Sequence, residues 1–169
     1  MKCISPITLK DPQKIRGSLT YTVPCGKCGS CRHNRRTQWT FRLNQELKNS
    51  LSAYFLTLTY ENCQIPFDHE SGLPTLDKTH IQKFLKRLRR KSERFSGWKI
   101  RYYCVGEYGT HTQRPHYHII LFNLHTNLKE LLLSTWQHGL IHIGKVTEAS
   151  IHYTTKYHVN YDKDMVFGY

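Results

Sequence analysis

Two aromatic and β-branched stretches, Ile100 to Glu107 and His116 to Phe122, follow one another with only the loop Tyr108 to Pro115 between them. A parallel crossover takes a dozen or more residues, so strands this close in sequence pair antiparallel. Any fold for this chain is built around that hairpin. Helices and strands flank it. Trp39, Leu43 and Leu47 recur every four residues and predict a helix over Arg32 to Ser50. Tyr54 to Tyr60 reads as a strand, and Asn62 to Leu76 as a loop broken by Pro66, Gly72 and Pro74. Asp77 is placed to cap a helix from Lys78 to about Arg94, with Ile81, Phe84, Leu85 and Leu88 as its apolar stripe. Leu128, Leu131, Leu132 and Trp136 mark a further helix that Gly139 stops, and Leu140 to Val146 a short strand. Ser150 caps a last helix over Ile151 to Asn160. Residues 1–24, with Pro6, Pro12, Gly17 and Pro24, read as irregular. This order predicts an α+β fold, a central mainly antiparallel sheet backed by helices, in a single domain over 1–169. No apolar run approaches the roughly 18 residues of a membrane span, and Met1 to Pro6 has no signal-peptide core.

Charge narrows the partners. With 25 Lys and Arg against 12 Asp and Glu, the formal net charge is +13, which points to a polyanion such as nucleic acid. Between Lys78 and Arg101 there are ten Lys or Arg and a single acid, Glu93. A second cluster holds Lys27, Arg32, Arg35, Arg36 and Arg42. Lys83, Arg87, Arg90, Arg35, Arg36 and Arg114 are the candidate phosphate contacts; the plainer reading of one such run is a solvated helix face.

Cys25, Cys28 and Cys31 pack three thiols into seven residues. Such short loops make strained disulfides but good metal ligands, and Gly26 and Gly29 free the backbone to curl around an ion. Tetrahedral Zn2+ needs a fourth ligand, for which Cys3 is the first candidate and His33 the second. The expectation is a closed structural zinc site stapling an N-terminal appendage (residues 3–31) in a reducing, cytoplasmic setting. Cys63 and Cys104 read as small apolar fillers beside strands.

His116 and His118 flank Tyr117 inside a predicted strand, so both imidazoles point to one face about 7 Å apart. Glu107 ends the preceding strand, and the hairpin can bring it alongside. Two imidazoles and one carboxylate leave positions open on an octahedral ion for water and a phosphate oxygen. Tyr153 and Tyr157, four residues apart on a predicted helix, share a face with Lys156 beside them. A phenolic oxygen can attack phosphorus, with a nearby cation stabilising the phenolate.

Together, Phe55 to Tyr60, Gly106-Glu107-Tyr108-Gly109, Arg114 to His118, and Tyr153-x3-Tyr157 with Lys156 resemble the motifs of the HUH endonuclease superfamily, named for two His flanking a hydrophobic residue. Val23 to Lys27, the cysteines at 3, 28 and 31, and Arg35, Arg36 and Trp39 are similar to the replication initiators of small single-stranded DNA phages, the gokushovirus branch of the microviruses. The resemblance covers about residues 3–160 and implies a ferredoxin- or RRM-related sheet of about five strands, with helices on one face and the metal site on the other. It implies nicking of single-stranded origin DNA with Mg2+ or Mn2+ at His116, His118 and Glu107, a 5′-phosphotyrosine link to Tyr153 or Tyr157, a free 3′-OH, and strand joining by the second Tyr in rolling-circle replication. It further implies a bacterial host cytoplasm and host polymerase, helicase and single-strand-binding protein as partners. Members usually run on well beyond this length, and no G-x4-G-K-[ST] phosphate loop occurs here, so unwinding falls to a partner. Two other readings compete: a non-catalytic single-strand binder, and a single-tyrosine transposase or relaxase.

Overall fold

A computed structural model describes residues 1–92, 98–125, 129–156 and 166–167. The hairpin forms as its sequence dictates. β4 (Arg101–Tyr108) and β5 (Pro115–Phe122) pair antiparallel, with Glu107 opposite His116. β5 also pairs antiparallel with β3 (Ala53–Tyr60), which carries β6 (Gly139–Lys145) on its other edge. The two-residue β7 (Val166–Phe167) borders β4, so the sheet runs β6-β3-β5-β4-β7, antiparallel throughout. β6 begins close against β3: a side chain at Gly139 would run into the Thr59 carbonyl, and its φ of +150° favours glycine.

Period-two alternation gives the sheet two faces, and both are covered. Leu56, Leu58, Cys104, Tyr117, Ile119 and Leu121 pack against α2 (Lys78–Ser92) and α3 (Lys129–Thr135). Tyr103, Val105, Ile120 and Phe122 pack against α1 (Gly29–Asn49) and α4 (Glu148–Lys156) through Trp39, Leu43 and Ile151. Helices therefore lie on both faces, and α1 and α4 share the face of His116 and His118. This corrects the one-sided arrangement that the resemblance implied: two apolar sheet faces each need a cover.

The element ends differ from the expectation for identifiable reasons. Residues 1–24 hold an antiparallel ribbon, β1 (Ile7–Lys10) with β2 (Thr20–Val23), separate from the main sheet. Its strands are four residues long, between Pro6, Pro12 and Pro24, too short to stand out from the breakers around them. α1 starts at Gly29, inside the Cys cluster, rather than at Arg32. α2 is capped by Asp77, which accepts from the Thr79 amide at 2.7 Å. α3 ends at Thr135, so Trp136 follows the helix and donates its indole N–H to the Thr59 carbonyl; Leu128 lies outside the described residues. α4 begins at Glu148, with Thr147 as its cap. Ser150 is Thr147's reciprocal partner: each backbone N–H meets the other's hydroxyl, at 2.9 and 3.2 Å. Cys104 is buried as expected, whereas Cys63 is exposed in a short 3-10 turn. Among the described residues, no helix is long and apolar enough to cross a membrane.

Candidate active site

The cross-strand register assembles three ligating groups. Because Glu107 opposes His116 and His118 stands two residues further along the same face, one ligand atom from each lies within 4.8 Å of the others. Glu107 Oε2 is 3.6 Å from His116 Nε2 and 3.2 Å from His118 Nε2, and the three side chains are 14%, 16% and 9% exposed. Neighbours aim the rings. His116 Nδ1 lies 3.1 Å from the Arg114 carbonyl, which only accepts, so Nδ1 carries the proton and Nε2 presents its lone pair to the cluster. His118 Nδ1 is 3.1 Å from the Thr57 hydroxyl, and Phe55 stacks on the ring at 5.4 Å. His118 Nε2 is buried without a hydrogen-bond partner among the described residues; it stands near Glu107 but not aligned to bond with it. A buried lone pair beside a carboxylate and a second imidazole is a donor set that fits a divalent cation.

α4 delivers a phenol to this cluster. Tyr153 Oη donates to Glu107, 2.9 Å from Oε2 and 3.2 Å from Oε1, and its ring stands edge-on to His118 at 5.2 Å. Lys156 Nζ lies 4.2 Å from the centroid of the Tyr153 ring, over its face rather than at its oxygen. Tyr157 lies outside the described residues. α4 is held against α1 by the Thr40 and Thr155 hydroxyls, 3.1 Å apart, and by Arg36 donating to the His152 carbonyl at 3.5 Å. Thr154 and Thr155, poor helix formers, are tolerated because their hydroxyls bond to carbonyls one turn back.

The cysteines also converge. Cys3 Sγ is 3.5 Å from Cys25 Sγ and 3.8 Å from Cys28 Sγ, and Cys25 Sγ is 4.0 Å from Cys31 Sγ. A tetrahedral ion with Zn–S bonds of about 2.3 Å has sulfur–sulfur edges of about 3.8 Å, so the four thiols suit that geometry and all are free of disulfides. Cys3, not His33, completes the set. Backbone amides, those of Ile4 and Cys31 foremost, hold the Cys28 thiol down at about 6, as those of Cys28 and Lys27 lower Cys25, while burial pushes Cys31 up to about 12.

The candidate phosphate contacts divide. Arg35 and Arg36 sit on α1, on the metal face. Arg114 donates to Asn62 Oδ1 at 2.8 Å and to the Tyr60 carbonyl, tying the hairpin loop to the end of β3. Arg87 donates twice to the Thr135 carbonyl and closes the C-terminal end of α3. Lys83 and Arg90 are exposed on α2, across the sheet from Glu107. Sequence reasoning missed Thr57 and Phe55, whose contact with His118 follows only from the β3–β5 register.

Residues 53–162 match the family of the replication-associated protein ORF2, a span that includes the Glu107 cluster and α4 but not the cysteines. The chain is similar to replication-associated protein ORF2 of Spiroplasma virus 4, 35% identical over 152 residues, which cover 80% of this chain and 47% of the relative. It is also similar to replication-associated protein VP4 of Bdellovibrio phage phiMH2K (30% identical over 93% of this chain and 57% of the relative). Replication-associated protein ORF4 of Chlamydia phage 1 is 29% identical over 82% of this chain and 38% of its own length. The chain thus spans about half the length of the curated relatives it matches. No solved structure matches it.

Proposed function

Because this chain belongs to the replication-associated protein ORF2 family, we propose that it starts phage DNA replication by nicking and rejoining single-stranded origin DNA through tyrosine transesterification. The observation that carries this reading is the Tyr153 hydroxyl 2.9 Å from Glu107, inside the cluster with His116 and His118. Glu107, His116 and His118 would hold Mg2+ or Mn2+, which when bound stabilises negative charge on the scissile phosphate. The chain's own residues do the rest. Tyr153 or Tyr157 supplies the phenolic oxygen that attacks phosphorus. The new O–P bond replaces the bond to the 3′ oxygen, which leaves as a free 3′-OH while the 5′ phosphate stays on the tyrosine. Lys156, over the ring of Tyr153, favours the phenolate. Arg35 and Arg36 bind phosphates of the incoming strand on the same face. Two phenols on one helix let the second reverse the first cleavage and join the ends. Cys3, Cys25, Cys28 and Cys31 hold one structural zinc. Host polymerase, helicase and single-strand-binding protein act with it in the host cytoplasm.

The test is an adduct assay: incubate the chain with origin single strand and Mn2+, then run a denaturing gel. A protein–DNA adduct that EDTA abolishes is expected. Tyr153→Phe and Tyr157→Phe each retain some adduct and the double variant none. A reversible shift without adduct would establish a binder instead, and a single variant that abolishes every adduct would establish a one-tyrosine enzyme.

A further inference from the structure

α2 carries seven cations and no acid. Like charges repel along it at i and i+4: Lys83 with Arg87, Lys86 with Arg90, and Arg87 with Lys91. The last-turn cations gain from the helix dipole, but Lys83 and Lys86 stand too far up the helix for that. The helix lies on the sheet face away from the Glu107 cluster, so the proposed chemistry gives its charge no role.

Between the outer side of α2 and β4 lies an open groove of about 430 Å³, lined by Gln82, Leu85, Lys86, Arg89, Arg90 and Tyr102. No carboxylate is among these residues. Lys86 and Arg90 are exposed, one turn apart, about 6 Å along the helix axis. Arg89 is fixed: it donates to the Ile100 carbonyl at 3.4 Å, and its guanidinium stands 5.4 Å from the centroid of the Tyr102 ring. Tyr102 is half-buried against the core and offers part of its ring to the groove. Two exposed cations in a row beside an aromatic ring braced by a guanidinium form the pattern that binds phosphates and stacks a base.

We propose that this groove is a second site for single-stranded nucleic acid, with successive phosphates on Lys86 and Arg90 and a base against Tyr102 and Arg89. A duplex keeps its bases stacked inside and cannot bring one to Tyr102. An acidic peptide meets the cations but has no flat ring for the tyrosine. Tyr102 and Glu107 are five residues apart on β4 and point to opposite faces, about 17 Å apart along the strand alone. A strand engaging both sites is therefore longer than cleavage itself requires. The proposal rests on the single-strand reading above, and adds where the strand is held away from the scissile bond.

The experiment measures binding of a labelled oligothymidylate of about thirty nucleotides at several salt concentrations, by anisotropy in EDTA so that no cleavage intervenes. The double variant Lys86→Gln with Arg90→Gln should bind about tenfold more weakly, and its salt slope should fall by about 1.4, the share of two phosphate contacts. Lys78→Gln with Lys91→Gln removes the same charge outside the groove and should lose much less. Tyr102→Leu should weaken binding without changing the salt slope. Equal loss in both double variants, or none in either, would overturn the groove, as would duplex or polyglutamate competing as well as single strand. The adduct assay on the same proteins separates the two readings. No adduct from any protein, with affinity still lost in the groove variant, removes the enzyme and keeps the groove. Adduct with unchanged affinity removes the groove alone.

Discussion

Thr57 sits on β3 opposite His118, with its hydroxyl 3.1 Å from Nδ1 of that ring. Outer partners of this kind fix ring orientation around a cation, and their loss costs roughly 10–100-fold in metal affinity. Thr57→Val keeps the shape and removes the oxygen. The Mn2+ concentration giving half-maximal adduct formation should rise about tenfold, with the rate at saturating Mn2+ little changed; an unchanged Mn2+ requirement would assign Thr57 to packing only. The two histidines were readable in the sequence because strand geometry puts alternate residues on one face. Glu107 followed from the hairpin. Thr57 did not, because its partner is set by pairing between strands that are distant in the chain. Tyr153 was identified by its spacing from Tyr157, but its bond to Glu107 depends on how α4 docks.

At the scale of elements, the Cys cluster and α4 are linked through α1. Cys31 lies in the first turn of α1, and the same helix bonds to α4 through Thr40 and Arg36. Cys25→Ser should abolish tight binding of about one zinc per chain and, by loosening the start of α1, slow adduct formation more than it lowers the cooperativity of unfolding. Elemental analysis of the native chain showing no zinc would contradict this. The fourth ligand had two candidates in sequence, since Cys3 is 22 residues from Cys25 and only the folded chain brings them together. The β1–β2 ribbon was missed because short strands among prolines carry little pattern. A second feature is the stack of His80 on His138, 3.8 Å between centroids, at the start of α2 and just before β6. Burial pushes both below the usual histidine range; their mutual repulsion and Arg87 add to this, and Asp77 opposes it. Both rings thus stay neutral in the fold at pH values where the unfolded chain takes up protons. Stability is then full above about pH 6.5 and declines as pH falls through and below it. The melting temperature should drop on acidification from about pH 7.5 to about 5.5, and His80→Gln with His138→Gln should flatten that drop; an equally steep profile in the variant would place its cause elsewhere.

For the whole molecule, one antiparallel sheet separates two differently charged tasks. One face joins a metal-ligand set to a phenol; the other carries the basic helix α2. The α+β class and strand order were readable because the hairpin and the period-two strands leave few arrangements. Family membership bears out the resemblance to phage replication initiators. The two-sided cover of the sheet was not readable, because which face a helix takes depends on connections that no local pattern encodes. The proposed chemistry stands on a cation facing Tyr153 across Glu107, His116 and His118. Crystals of the chain grown with Mn2+ test this directly through the anomalous signal of the ion. A peak is expected about 2.1–2.3 Å from Nε2 of both histidines and from a Glu107 oxygen, within about 5 Å of the Tyr153 hydroxyl. A peak elsewhere, or none at these three side chains at millimolar Mn2+, would contradict it.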